Sequence, residues 1–151
     1  PDRVVERTIA EVDELRAFVG QWPVCWVNVD GLGDRSTLER LAAIFGLHPL
    51  AMEDVVNTHQ RAKVDQYGDL TFVVTHMVEL GDHFEAEQVS LFLGSNFVIT
   101  FQERPGGDCL EPVRDRIRRH VLRMRDAGSG HLAYSILDAV IDHYFPVLEA
   151  Y

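Results

Sequence analysis

The chain has 151 residues, of which 46% are hydrophobic, and a formal net charge of -10 at pH 7. This length suits one domain with a buried core, and the composition is not that of a disordered segment. The negative charge argues against nucleic acid as a partner, because phosphates would be repelled. There is no signal peptide, and no apolar run reaches the roughly 18 to 20 residues that span a bilayer, so we expect a soluble chain.

Cysteine use points to a reducing compartment. Cys25 and Cys109 are too few for a disulfide framework and do not form a CxxC motif. Cys25 lies within an apolar strand pattern, which is typical of a buried free thiol. A cytoplasmic location fits this use of cysteine.

The first half of the chain alternates between strand and helix patterns. RVVERTI (3–9) predicts a strand, and EVDELRAFV (11–19) predicts a short helix. VCWVNVD (24–30) is rich in β-branched and aromatic residues, which predicts a strand in the centre of a sheet. A capping box begins an amphipathic helix over residues 36–46, and Pro49 suits the first position of the next helix.

The second half predicts three antiparallel strands followed by two helices. The strands are DLTFVVTHMVEL (69–80), EAEQVSLFLG (85–94) and NFVITFQE (97–103), separated by glycine-containing turns. A helix begins at Pro112, and residues 131–151 are helical to the end of the sequence without a cap. Helices around strands of mixed direction predict a layered α/β domain.

The helix after Pro112 is basic. Residues 114–125 contain six arginines and one aspartate, a net charge of +5. We expect a solvated face, or contact with acidic protein surface or anionic lipid, rather than binding to RNA.

HPLAMEDVVNTHQ (48–60) contains two adjacent carboxylates. At helical spacing Glu53, Asp54 and Asn57 share one side, which gives a patch of oxygen atoms. We expect the apolar residues of this helix to face the core; they are Ala51, Met52, Val55 and Val56. The two histidines, at the ends of the segment, fit no zinc motif, and we interpret them as structural hydrogen-bonding groups.

A second carboxylate stripe lies on the last helix. Asp138, Asp142 and Glu149 share one side, and we expect Leu137, Ile141 and Leu148 to be available for packing. Pro146 cannot donate a hydrogen bond to the carbonyl of Asp142, which predicts a bend.

Two explanations of these stripes stay open on spacing alone. Hard divalent ions such as Mg²⁺ prefer carboxylate, carbonyl and water oxygens, so the stripes could hold metal. Most such stripes are only solvated helix faces. A metal-dependent hydrolase using Glu53, Asp54 and Asp138 is a further alternative, but the sequence offers no nucleophile or base for it.

Several separate motifs resemble one family. WVNVDGL (26–32), FGLHPLAMEDVVNTHQRAKVDQY (45–67), EQVSLFLGSNFVITFQE (87–103), EPVRDRIRRH (111–120) and YSILDAVIDHYFPVLE (134–149) occur in one order. Together they closely resemble the cytoplasmic N-terminal domain of the CorA family of magnesium and cobalt channels. The ZntB zinc transporters share much of this pattern and are the nearest alternative.

The resemblance implies an α/β/α layered sandwich with a mixed sheet. Residues 1–128 would form a cytoplasmic sensor domain, and residues 129–151 would begin a long stalk helix that leads to the membrane. The whole protein would be a homopentamer in the plasma or inner membrane, with this domain on the cytoplasmic side. It would be a channel and not an enzyme, regulated by Mg²⁺, or by Co²⁺ or Zn²⁺, bound between subunits.

The resemblance also implies which carboxylates bind metal. Glu53 and Asp54 match the two acids of the family's HPLxLED helix, and Asp138 matches the aspartate of its YSLIDAxVD motif. The same stripe adds Asp142 to the candidate metal ligands. The remaining ligands would come from a later part of an adjacent subunit. Ala62 stands where the family usually has proline, but this departure does not touch the acidic positions.

Overall fold

The computed structural model describes residues 3–119 and 127–151. A 3-10 helix, Val12–Ala17, precedes the first strand. The strands are β1 (Cys25–Asp30), β2 (Lys63–Tyr67), β3 (Leu70–Leu80), β4 (Phe84–Leu93) and β5 (Phe97–Gln102). The helices are α1 (Arg35–Phe45), α2 (Pro49–Val56), α3 (Glu111–Arg118), α4 (Gly128–Asp142) and α5 (Tyr144–Glu149).

The strands form one five-stranded sheet in the order β1-β5-β4-β3-β2. Short turns join β2 to β3, β3 to β4 and β4 to β5, and these neighbours are antiparallel. β1 pairs with β5 in parallel. The predicted sheet of mixed direction is therefore confirmed.

Helices cover both faces of this sheet. One face presents Phe72, Phe92 and Phe101 to a cluster that α1 and α2 complete with residues such as Leu41 and Val55. Side chains of a strand alternate between the two faces, so neighbouring strand residues point the other way. That second face is covered by α3 and α4, and its buried residues include Leu91, Val98, Val113, Ile136 and Val140. The result is the expected α/β/α sandwich.

One strand predicted near the N-terminus is absent, and another lies elsewhere in the sheet than predicted. Residues 3–9 form no strand; Glu6 instead receives two hydrogen bonds from the guanidinium group of Arg118. The strand at 24–30 lies at an edge of the sheet and not in its centre. Its apolar sequence fits partial cover on both faces: Val27 packs on the side of α1, and Trp26 packs on the side of α4.

Two arginines of the basic helix form ion pairs within their own chain. Arg118 forms ion pairs with Glu6, Glu111 and Asp115, and Arg114 pairs with Glu111 and with a second carboxylate described next. The expected contact with acidic protein surface is thus found for these two arginines. Residues 120–126 lie outside the described part.

A buried carboxylate fixes the loop before α3 to the sheet. Asp108 accepts hydrogen bonds from both terminal nitrogens of Arg114, at 2.8 and 2.7 Å, and from the backbone amide of Leu110 at 2.8 Å. Gln102 of β5 also donates to Asp108. The Arg114 guanidinium lies 5.3 Å from the centre of the Trp26 ring on β1. This network therefore ties α3 to both strands of the parallel pair.

We predict that Asp108→Asn lowers the free energy of unfolding by about 3 kcal/mol at pH 7, because it breaks a largely buried ion pair. Burial alone would raise the pKa of Asp108, but hydrogen bonds from Arg114, Leu110 and Gln102 outweigh it and hold this pKa below its usual value. A depressed pKa contributes stability above the unfolded value of about 3.9 that is lost as the pH falls through the folded value. Urea denaturation from pH 7 to pH 3 should show that the free energies of unfolding of the parent protein and of Asp108→Asn become more similar as the pH falls.

The matched control for this prediction is Glu39→Gln. Glu39 forms an exposed pair with Arg35, and exposed pairs of this kind contribute about 0.2 to 1 kcal/mol. Equal losses of stability in the two variants would contradict a special role for Asp108.

Candidate metal-binding site

Helix α2 begins with a histidine cap. The Nδ1 atom of His48 accepts a hydrogen bond from the amide of Leu50 at 3.1 Å. The imidazole ring stacks on Tyr67, with 4.6 Å between ring centres. Pro49 follows at the first turn, where a missing amide hydrogen costs nothing. The structural role predicted for His48 is confirmed.

The exposed side of α2 combines one carboxylate with large apolar residues. Ala51 and Val55 are buried, whereas Glu53 is exposed. Leu50 and Val56 flank Glu53 along the helix and are 56% and 52% exposed. The prediction that Val56 faces the core was therefore wrong, because it lies one position beyond the buried face that Val55 completes.

Asp54 is more enclosed than Glu53 and already has a cationic partner. Its side chain is 22% exposed, and its Oδ2 atom lies 2.5 Å from the Nζ atom of Lys63 on β2. The same ammonium group lies 3.1 Å from the Oδ2 atom of Asp65. Sequence reasoning missed this pair because β2 itself was not predicted: KVDQY combines exposed and half-buried positions at the edge of the sheet.

A buried glutamine, also missed, fixes the C-terminal end of α2. Gln88 of β4 donates from its Nε2 atom to the carbonyl of Asp54 at 3.0 Å and to that of Asn57 at 3.4 Å. Its Oε1 atom accepts from the amide of Gln60 at 3.1 Å. A glutamine next to the apolar run VSLFL was the available signal, since a buried amide needs partners.

The other candidate carboxylates lie on α4. Asp138 is half-buried and Asp142 is exposed. Tyr134 and Ile141, on the same helix, are 65% and 58% exposed. Leu137 packs against the core, whereas Ile141 and Leu148 are exposed.

The last helix is interrupted as Pro146 predicts. Helix α4 ends at Asp142, and α5 begins at Tyr144. The break falls where Pro146 has no amide hydrogen to offer the carbonyl of Asp142. The hydroxyl of Tyr144 donates to the carbonyl of His76 at 2.8 Å, which holds the junction against β3.

One copy of the chain does not bring the two carboxylate groups together. Helix α2 packs on one face of the sheet, and α4 packs on the other. Among residues 3–119 and 127–151, no group of three or more His, Cys, Asp or Glu side chains is placed to hold a metal ion. The carboxylates of the hydrolase alternative, Glu53, Asp54 and Asp138, therefore do not form one active site within the described part of a chain.

Chemically, the donor set still fits a hard divalent ion. All four candidates, Glu53, Asp54, Asp138 and Asp142, supply carboxylate oxygens, which Mg²⁺ binds together with several retained waters. Glu53 and Asp54 also lie in the C-terminal half of α2, where the helix dipole adds negative potential. Each group thus offers part of a site for a cation.

The family model described as CorA-like Mg²⁺ transporter protein matches residues 23–151. The chain belongs to this family. It is 37% identical over 142 residues to the cobalt/magnesium transport protein CorA of Thermotoga maritima, a match that covers 92% of this chain and 40% of that protein. It is 29% identical to the magnesium transporter ALR1 of Saccharomyces cerevisiae, covering 88% of this chain and 16% of that protein.

Solved structures show the same fold. The soluble domain of CorA from Methanocaldococcus jannaschii matches with a TM-score of 0.70 at 14% identity, covering 87% of this chain and 52% of that one. The full-length CmaX protein matches with a TM-score of 0.62 at 18% identity, covering 84% of this chain and 38% of that one. This CorA-like chain thus spans less than half the length of the curated relatives it matches. In the described residues, no helix is both long and apolar enough to cross a membrane.

We predict that Gln88→Leu destabilises this CorA-like domain by about 1 to 3 kcal/mol. The substitution leaves backbone groups of Asp54, Asn57 and Gln60 without their partner, and unsatisfied polar groups cost free energy of this size. Equilibrium urea unfolding measures the effect. Gln66→Leu is the control, because the Gln66 side chain makes two hydrogen bonds but is exposed, so water replaces them. If Gln88→Leu leaves the free energy of unfolding unchanged, the hydrogen bonds of Gln88 do not hold α2 in place.

Proposed function

We propose that the chain is the cytoplasmic regulatory domain of a CorA-like divalent-cation channel. In this proposal, Mg²⁺, or Co²⁺ or Zn²⁺ in its place, binds between neighbouring subunits of a homopentamer and holds the channel closed. Membership of the CorA-like family supports a role in divalent-cation transport. The ligands proposed for the regulatory ion are Glu53, Asp54, Asp138 and Asp142.

The observation that supports the proposal most is that exposed apolar side chains lie beside each of the two carboxylate groups. Glu53 lies between the exposed side chains of Leu50 and Val56. On α4, the exposed apolar residues Tyr134 and Ile141 accompany the second group. Exposed apolar side chains that cluster around polar groups are typical of protein interfaces. A site completed by a second copy explains why one chain separates its carboxylates and leaves apolar surface beside each.

The proposed mechanism is thermodynamic linkage. An ion that binds the closed arrangement better than the open one shifts the population toward the closed state. When the ion leaves, carboxylates of neighbouring copies repel each other, which favours separation. A site of this kind has to be weak enough to empty when cytoplasmic Mg²⁺ falls, and ligation by a few carboxylates and waters suits that requirement.

We also propose how the chain is divided between sensing and transmission. Residues 1–128 form the sensor domain, and residues 129–151 begin the helix that leads toward the membrane. Helix α4 packs on the sheet through buried residues such as Ile136 and Val140, so a change at the sheet can be passed to the helix directly. In this proposal membrane insertion depends on segments outside the 151 residues.

In the full-length protein, we predict that Glu53→Gln, Asp54→Asn and Asp138→Asn together weaken the protection from proteolysis that Mg²⁺ provides. Removing negative charge and anionic ligands lowers the affinity for Mg²⁺, so protection should require at least tenfold more of the ion. The fold should survive, because Asp54 loses only a partly exposed ion pair, worth less than about 1 kcal/mol. Limited proteolysis over a Mg²⁺ titration measures the shift.

A matched control removes the same charge from exposed positions elsewhere, through Glu39→Gln, Asp69→Asn and Asp82→Asn. This control should keep the protection of the parent protein. Wild-type protection in the first variant at every Mg²⁺ concentration would refute the assignment of these ligands. Resting transport is a poorer readout, because fewer repelling carboxylates can also stabilise the closed ring without metal.

A further inference from the structure

The ammonium group of Lys63 lies beside the carboxylate of Asp54, where a bound metal ion would also lie. Its Nζ atom lies 2.5 Å from the Oδ2 atom of Asp54, so one of the two carboxylate oxygens already has a cationic partner. The Lys63 side chain is 32% exposed and stands on the edge strand β2, which follows α2 in the chain. Ammonium and metal would therefore compete for the same carboxylate.

We propose that Lys63 is a built-in competitor of the divalent cation at Asp54, and that metal binding requires its ammonium group to leave this carboxylate. The inference rests on the proposed function and adds a residue that sets the affinity of the same site.

Asp65 supplies a position for the displaced ammonium group. It lies two residues after Lys63, so both side chains are on the same side of β2. Its Oδ2 atom is 3.1 Å from the Nζ atom of Lys63 and is partly exposed. When metal takes Asp54, Lys63 can keep its ion pair with Asp65 by a small side-chain rotation. Displacement is therefore inexpensive, and the competition tunes the affinity without preventing binding.

The size of the effect follows from the strength of a partly exposed ion pair. Such pairs contribute little, and losing one corresponds to an affinity change of about two- to fivefold. This range is useful for a regulatory site, because it weakens metal binding without abolishing it. The hydrogen bonds from Gln88 to the carbonyls of Asp54 and Asn57 fix the backbone there. The Lys63 side chain, and not the backbone of α2, therefore has to move when metal binds Asp54.

The test uses the 151-residue chain labelled with ¹⁵N and titrated with Mn²⁺, a paramagnetic ion that binds oxygen ligands like those of Mg²⁺. Broadening of the amide signals of α2 gives an apparent dissociation constant at Asp54. We expect Lys63→Met to lower this constant about two- to fivefold, and Lys63→Gln to act in the same direction. Lys63→Arg should leave it within a factor of two, because the cationic partner is kept.

Arg61→Met is the matched control for charge, since it removes one positive charge from an exposed position two residues earlier. If Lys63→Met tightens binding no more than Arg61→Met does, general electrostatics accounts for the effect and the competitor role of Lys63 is refuted. In that case the metal site itself stands.

Asp54→Asn separates this inference from the proposed function. In that background Lys63→Met should change Mn²⁺ binding no more than Arg61→Met does, because the shared carboxylate is gone. If Asp54→Asn leaves the broadening of α2 unchanged, or if no variant shows broadening there, Asp54 binds no metal in a single chain and the inference about Lys63 is overturned. The proposed intersubunit ligand set is tested separately, by the proteolysis of the full-length protein described above.

Discussion

The constraint on which the rest of the structure depends is a sheet that is apolar on both faces. Phe72 and Phe92 point to one side, whereas Leu91 and Val98 point to the other, and all four are buried. Water has to be excluded from both faces, so helices must cover both. The order of the helices along the chain then puts α2 on one side and α4 on the other. The separation of the two carboxylate groups is a consequence of how the core is built.

Polar side chains that reach into this core fix the positions of helix ends, which apolar contacts do not determine. Apolar packing is not directional, so it sets the layers but not the exact position of a helix end. Gln88 supplies that precision for α2 through hydrogen bonds to backbone groups, and Asp108 supplies it for α3 through Arg114. A site that responds to a weakly bound ion needs carboxylates held in place before the ion arrives. Gln88 contributes to this by holding the backbone of Asp54.

Much of the fold could be predicted from the sequence because local patterns determine it. β-branched and aromatic content between glycine-containing turns predicted β3, β4 and β5 within a few residues of their ends, and Pro49 and Pro146 marked a helix start and a helix break. The position of β1 could not be predicted in this way. Its residues would suit a central strand, and only the arrangement of the whole chain shows that the cover on both faces extends to the edge. Residues 3–9 have the composition of a strand, but composition supplies no pairing partner.

The candidate site, like the fold, could be predicted from the sequence only in part. Helical spacing was enough to identify the two carboxylate stripes, and the family resemblance implied that Glu53, Asp54 and Asp138 bind metal. Lys63 and Gln88 were not found as contacts of α2. Lys63 lies on β2, a strand that was not predicted, and Gln88 lies on β4, which is distant from α2 in the sequence. Contacts of this kind depend on the register of the sheet, which short-range spacing does not encode. In the proposed function, the contact from Lys63 also affects how available the Asp54 carboxylate is to a cation.

The central claim is that a complete metal site requires two copies of the chain. A crystal structure of the full-length protein grown with Co²⁺, with anomalous diffraction measured at the cobalt edge, tests it most directly. The account predicts an anomalous peak within coordination distance of Glu53 or Asp54, or within reach through one bound water, with at least one further carboxylate ligand from a neighbouring copy. A peak whose protein ligands all come from one chain, or the absence of any peak at α2, would contradict it.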